Sequence, residues 1–502
     1  MKRSASMFLV VLMLLCLLAP TAMAAPKEDL IIVMPEDLTS FDPLGGTGVP
    51  TQNIIRMIYT RLYIDSDDGS MDPVACLAKD LYAVSDNEID VKIYTGWKYS
   101  DGSEITVDDV VFCLNRAKGS ATFATTLKMV DGFEKIDDET IAIKTQAPVP
   151  SIKHTLKHVG TSILPQAYVE KALADNDWSN PICSGPYKVA ERSIGEYTKV
   201  VKNEYYGGSI AIPQNNSLTF KYVPESTSRT IQIETGEADL NFSFGTADYA
   251  RCKENSELKV YEKAGINTFH IAVDTTRAPF DDVRVRQALC YAIDRDDLLL
   301  AAAEGIGVTA YCVVPPTTIG HLDNPGNYTY DPDKARALLA EAGYADGFTT
   351  SLLAFNEKNK NVAEIVAMFL AEVGITANVD LYDASTRAGM VADHQVPMLI
   401  NTWGASPDAD LVLPRLFTES AIGASNLTFY HNDELDVLLQ KAGSIYDEAE
   451  RTALYEEAVK ILAEEAPWCP LFIQNSLGLA RADLQGVVMS PESPRNFWGL
   501  HY

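Results

Sequence analysis

The sequence predicts an α/β protein built as two lobes. The chain has 502 residues, more than one hydrophobic core holds, so two large lobes are expected. From about residue 352 to 402, apolar runs of strand length alternate with stretches of helical periodicity. A second strand–helix–strand unit reads at 218–240. Such alternation is how helices cover a sheet.

The N-terminus carries its own signal. Lys2 and Arg3 precede an apolar run from Met7 to Leu18, and Ala22-Met23-Ala24 supplies small residues. This is the layout of a secretory leader cleaved after Ala24, and the run is too short for a spanning helix. A lipid-anchor site would place a small residue before Cys16, where Leu15 stands, so cleavage after Ala24 is expected. The formal charge of −28 becomes −30 once Lys2 and Arg3 are removed. A surface this acidic argues against nucleic acid or anionic lipid as a partner. Of the eight cysteines, the seven beyond the leader (76, 113, 183, 252, 290, 312 and 469) show no CxxC spacing and have mostly apolar neighbours. Buried free thiols are expected.

Taken in order, residues 30–34 read as a strand. A helix is expected at about 51–63, from the spacing of Ile54, Ile55, Ile58 and Leu62. A hairpin turn is expected at Asp68-Gly69 and another through 97–102. Thr106 should cap a helix over 107–117, with Asp108 and Asp109 at its positive end. Residues 128–146 look β-rich, and 153–159 and 165–176 helical. A strand over 266–273 leads into a break at Pro279-Phe280. Asp281 and Asp282 then cap an amphipathic helix that ends near the acidic turn 294–297. Asp331 caps a helix over 334–342 that stops at Gly343. Strands are expected at 352–355, 376–381 and 396–402, helices at 362–373, 433–442 and 448–465, and a return strand at 467–474.

Four stretches carry a resemblance. They are APFDDVRVRQALCYAIDR at 278–295, GWKYSDGSEITVDDVVFCLNRA at 96–117, Ser184-Gly185-Pro186-Tyr187, and the Gly236-Glu237-Ala238-Asp239 turn. Together they resemble the peptide/nickel family of extracytoplasmic solute-binding proteins, which serve ABC importers. The resemblance spans essentially the whole mature chain. It implies a two-lobed, periplasmic-binding-protein-like fold with two crossover strands at the hinge, at about 266–272 and 467–472. Lobe I would then comprise 26–268 and 471–502, with an inserted subdomain at about 65–175, and lobe II 269–470. It further implies a monomer outside the cytoplasm, with no cofactor, no enzymatic activity, and permease and ATPase components as partners.

Local motifs for other chemistry fail on context. Gly305-Ile306-Gly307-Val308-Thr309-Ala310 spells a dinucleotide fingerprint, yet it follows a helix instead of a strand. His154 and His158 share helical spacing, but the surrounding KHTLKH is basic and reads as a solvated face. Asp65, Asp67, Asp68 and Asp72 lack the glycine and glutamate positions of a calcium loop. No GxSxG, HExxH or Walker A sequence occurs, so nothing marks a hydrolase.

The ligand-side candidate is Thr402, Trp403, Gly404, Ala405, Ser406 and Asp408, where a strand delivers an aromatic side chain to a Gly-Ala-Ser-Pro break. Open α/β sheets bind ligands at strand ends. The residues alone leave open a buried tryptophan with an ordinary loop aspartate. The resemblance implies that backbone near the tryptophan pairs with an extended peptide and that an aspartate three residues on holds its ammonium. Here that position is Ser406, and Asp408 lies five residues on, so either is a candidate anchor. Thr47, Gly48 and Val49 resemble the opposing loop, Asn267 a cleft-facing position, and Phe123 and Phe472 possible aromatic walls. The implied ligand is a peptide or peptide-like solute. A chelated metal or other small non-peptide solute is the alternative, because nickel-type relatives also lack that aspartate.

Overall fold

The computed structural model describes residues 29–502 apart from 47, 122, 125 and 492–495. The expected leader and Cys16 lie outside the described residues. Two main sheets organise the chain. The first has seven strands, in the order Leu258–Lys263, Ser476–Arg481, Leu240–Asn241, Asp29–Met34, Ser217–Tyr222, Tyr197–Lys202 and Tyr187–Ser193. Asp29–Met34 runs parallel to both Ser217–Tyr222 and Leu240–Asn241, with the helix Ser226–Glu234 as the crossover between those two. The expected strand–helix–strand unit is therefore present. Its helix ends at Glu234.

The second sheet has six strands, in the order Gly307–Thr309, Trp468–Gln474, Asn267–Val273, Met398–Gly404, Phe348–Ala354 and Ile375–Leu381. Phe348–Ala354 and Ile375–Leu381 are parallel and joined by the helix Glu357–Glu372. A four-stranded antiparallel sheet, Ala78–Ser85, Glu88–Ile93, Thr140–Thr145 and Val130–Lys135, stands apart from both. Beside it lies the helix Val107–Lys118, fixed by a reciprocal cap. Thr106 Oγ1 accepts from the Asp109 amide at 3.1 Å, and the Asp109 carboxylate accepts from the Thr106 amide at 3.1 Å. The C-terminal Phe497, Trp498 and Leu500 pack into the same core as this subdomain and the first sheet.

The chain passes between the main sheets twice, through residues 264–266 and through Asn475 alone. The strands expected to cross, Asn267–Val273 and Trp468–Gln474, instead lie wholly in the second sheet, antiparallel neighbours of each other. Successive residues of a strand face opposite sides. Phe269 accordingly stacks on Phe472 on one face (4.5 Å between centroids), and His270 stacks on Trp468 on the other (3.5 Å). Phe472 is thus core and not a wall of a binding site. At the crossing itself, a Cβ on Gly265 would lie 2.1 Å from the Gln474 carbonyl oxygen, so the two connections touch.

Three local expectations need correction. The helix expected to run on to the acidic turn is two helices, Val283–Ala292 and Arg295–Ala303. Ile293 is extended, and Asp294 accepts from the Asp296 and Asp297 amides at 3.0 and 3.1 Å, so the acidic run starts a helix where it was read as a stop. Arg295 is buried and donates to the carbonyls of Cys290, Ala310 and Pro470 at 2.9–3.0 Å, which holds the break. The first helix is Val49–Ile58, entered through Pro50; Tyr59 is extended, so Leu62 is buried outside it. Around 97–104 a turn closes on a single bridge, Lys98 to Glu104, where a hairpin was expected. The turn at Asp68-Gly69 does close a hairpin between Tyr63–Asp65 and Pro73–Ala75, with Gly69 at φ +74°. After Ala303 the chain enters a short strand at Gly307, so the GxGxxA spelling opens no helix.

All seven cysteines from Cys76 onward are buried free thiols. Among the described residues no helix is long and apolar enough to cross a membrane.

His270 gives the fold a pH signature. It is fully buried, its Nε2 has no hydrogen-bond partner among the described residues, and burial draws its pKa down to about 3. An unfolded histidine takes a proton near pH 6.5, which the folded one refuses until about pH 3. Stability is therefore lost as pH falls from about 6.5 toward 3, by several kcal/mol in all. Urea midpoints measured from pH 7 to pH 4 should fall steeply in the wild type and less steeply in His270→Phe. Equal slopes would remove the assignment.

Candidate functional site

The strand Met398–Gly404 ends between two cavities that separate the lobes. Thr402 and Trp403 are adjacent and so point to opposite faces, which divides the expected site in two. On one side, a cavity of about 360 Å³ is bounded by Val49, Gln52 and the 154–158 segment from the first lobe. Trp403, Gly404, Ala405 and Ser406 bound it from the second. On the other side, a cavity of about 510 Å³ is lined by Asn267, Phe269, Asn359 and Thr402, with Phe242–Phe244 and 475–477 opposite. Thr402 Oγ1 donates to Asn359 Oδ1 at 3.1 Å, and Asn359 Nδ2 donates to the Ile400 carbonyl at 3.1 Å, so this wall is rigid.

The expected residues therefore fall into groups. Val49, Trp403, Gly404, Ala405 and Ser406 meet at the first cavity, and Asn267 and Thr402 at the second. Gly48 is the N-cap of the helix Val49–Ile58, its carbonyl accepting from the Gln52 amide at 3.0 Å, and lines neither. Thr47 lies outside the described residues. Phe123 is buried and stacks on His158 at 4.7 Å, so it backs the first cavity without lining it.

Asp408 corrects the sequence reading most sharply. Its carboxylate is buried and accepts from Arg451 Nη2 at 2.7 Å and from the Asp410 amide at 3.0 Å. It lines neither cavity, so it is a structural ion pair and not a free anchor. Backbone near the tryptophan is also committed in part. The Ala405 amide donates to the Ile266 carbonyl at 3.1 Å, and the Ser406 carbonyl accepts from Thr318 Oγ1 at 2.7 Å.

Sequence reasoning missed the charged lining. Asp65 faces the first cavity and is shared by Lys157 Nζ at 2.7 Å and Arg56 Nε at 3.5 Å. Arg415 lines the same cavity, half-buried, and its guanidinium has no hydrogen-bond, ion-pair or ring partner among the described residues. The visible signal was a lone arginine in an apolar Leu-Pro-Arg-Leu run of an acidic chain. His154 and His158, read as solvated, both line this cavity. His158 Nδ1 accepts from the Gly160 amide at 3.0 Å. His154 Nδ1 is buried without a partner, and burial lowers its pKa to about 4, so its ring is neutral at pH 7. Across the gap Ser151 Oγ donates to Asp410 at 2.9 Å, a direct bond between the lobes; burial raises the Asp410 pKa.

Away from the cavities, Glu419, His431 and Asp436 bring donor atoms within 4.8 Å of one another on the surface. Asp436 Oδ2 already accepts from the Glu419 amide at 3.1 Å.

The profile of the bacterial extracellular solute-binding proteins, family 5 (middle region), matches residues 72–424. The chain belongs to this family. It is 31% identical over 498 residues to the glutathione-binding protein GsiB of Shigella dysenteriae, covering 96% of this chain and 95% of that one. The structure of HbpA2 from Haemophilus parasuis superposes with a TM-score of 0.85 at 23% identity, covering 94% of this chain and 99% of the other. The periplasmic binding protein DppA from Helicobacter pylori, solved with the peptide STSA, gives 0.78 at 24% identity, with 94% and 98% covered. The two-lobed family fold read from the sequence is thus the fold of the chain, and its class is an extracytoplasmic solute-binding protein of the kind that serves ABC importers.

Proposed function

We propose that this protein captures a peptide or peptide-like solute outside the cytoplasm and delivers it to the permease and ATPase of an ABC importer. It acts as an exported monomer whose leader ends at Ala24, and it performs no chemistry on the solute. The observation that carries this reading is the cavity beside Trp403, bounded by both lobes a short way from two touching connections. A solute contacting both walls favours the closed arrangement by its differential affinity for it. The cavity volume suits a small solute. The ligands of the relatives, glutathione for GsiB and the peptide STSA for DppA, agree with it.

Isothermal titration with di- to hexapeptide pools should give heat with at least one pool. Trp403→Ala should weaken that binding about ten-fold or more while leaving the melting temperature near wild type. Heat from a different solute class and none from any peptide would overturn the peptide assignment. A second reading, capture of a chelated metal, is favoured by the two imidazoles on the cavity wall. Metal found at one equivalent in protein purified without chelators would select it.

A further inference from the structure

We propose that the cavity beside Trp403 holds its solute by a carboxylate on Arg415 and requires no free ammonium group. The inference deepens the reading above and rests on it for the location of the site. It starts from a contrast in charge. The chain has 69 acidic against 41 basic residues, yet the side chains lining this cavity include three cations, Arg56, Lys157 and Arg415, and a single carboxylate, Asp65. Asp65 is already shared between Arg56 and Lys157, which leaves the Arg415 guanidinium as the cation without a counter-ion among the described residues.

A half-buried guanidinium with five donors is poorly satisfied alone, and a carboxylate matches it in shape by two parallel hydrogen bonds. The acidic exterior makes an inward-facing cation more selective, since an anion gains only by entering the cleft. His154 adds an imidazole to the same cavity wall, its Nδ1 buried without a partner among the described residues. Among the described residues lining the cavity, Asp65 is the one carboxylate that could meet an ammonium group, and it is already shared. Of the carboxylates that follow Ser406 in the chain, Asp408 and Asp410 are engaged by Arg451 and Ser151. Among the described residues the larger cavity is lined by no carboxylate, its one charged residue being Lys358.

The test is isothermal titration of the mature protein and of Arg415→Gln and Arg415→Lys. Four probes are used: a tripeptide pool, the same pool as C-terminal amides, the same pool N-acetylated, and succinate as a carboxylate without peptide bonds. The expected result is that amidation and Arg415→Gln each weaken binding about ten-fold or more and that their effects do not add. N-acetylation should change affinity less than about three-fold, and Arg415→Lys should restore part of what Arg415→Gln loses. Acid and amide binding equally, or acetylation abolishing binding, would overturn the inference. Arg415-dependent binding of succinate with no binding of any peptide would retain the carboxylate anchor and overturn the peptide reading. No binding of any of the four would overturn both. Unchanged melting temperatures for the two variants separate these effects from misfolding.

Discussion

Replacing Asp408 by alanine is expected to destabilise the protein by about 3–5 kcal/mol, because it strands a buried arginine. The Arg451 and Asp408 side chains are only 6% and 4% exposed and meet at 2.7 Å. Without the carboxylate, the side-chain hydrogen bonds left to Arg451 among the described residues are to the Ala442 carbonyl at 3.2 Å and the Tyr455 hydroxyl at 3.5 Å. That is a large share of the 5–15 kcal/mol typical of a folded domain. The double variant Asp408→Leu, Arg451→Leu should recover most of the loss, since it buries no unpaired charge. Urea denaturation at pH 7 measures both. The same variants decide the role of Asp408: a structural pair predicts lost stability with affinity retained in the folded fraction. A ligand anchor predicts the reverse.

The second large effect belongs to Gly265. An alanine there would drive its Cβ to 2.1 Å from the Gln474 carbonyl, which is backbone and has no rotamer to yield. The two connections must separate, at about 1–3 kcal/mol for an overpacked site. Since these are the passages between the main sheets among the described residues, a displacement there is carried into the lobe arrangement, and solute affinity should fall with stability. Gly389→Ala is the matched control: its added Cβ meets nothing within 4 Å, and stability should hold or rise slightly. Gly265→Ala binding and melting like wild type would show that the contact yields freely.

The parts of the fold legible in the sequence are those written in short-range periodicity and caps. The helices Asp433–Ala442 and Glu448–Glu465 fall where the apolar spacing put them, and Asp282 and Asp331 cap the helices they were expected to cap. The break at Ile293 was hidden because an acidic turn after an apolar run reads equally as an end and as a beginning. At the site, strand position and the break after Trp403 were enough to find one wall. What covers that wall was not legible. His154 and His158 sit in a basic string that looks solvated, and periodicity says which residues share a face without saying what lies against it. Asp408 was misread for the same reason, since Arg451 is 43 residues away and nothing local announces the pair. The resemblance supplied the lobes and the site's address, and the side-chain pairing inside it came from the structure.

The seven concealed thiols have a practical corollary. None of them offers a surface sulfur to an alkylating dye, so the described residues are a blank background for labelling. Val49, 44% exposed at the rim of the smaller cavity, is a place where one introduced cysteine would be the sole handle. A fluorophore attached there would turn each jaw movement into a change in brightness, making the protein a reporter of its own cargo.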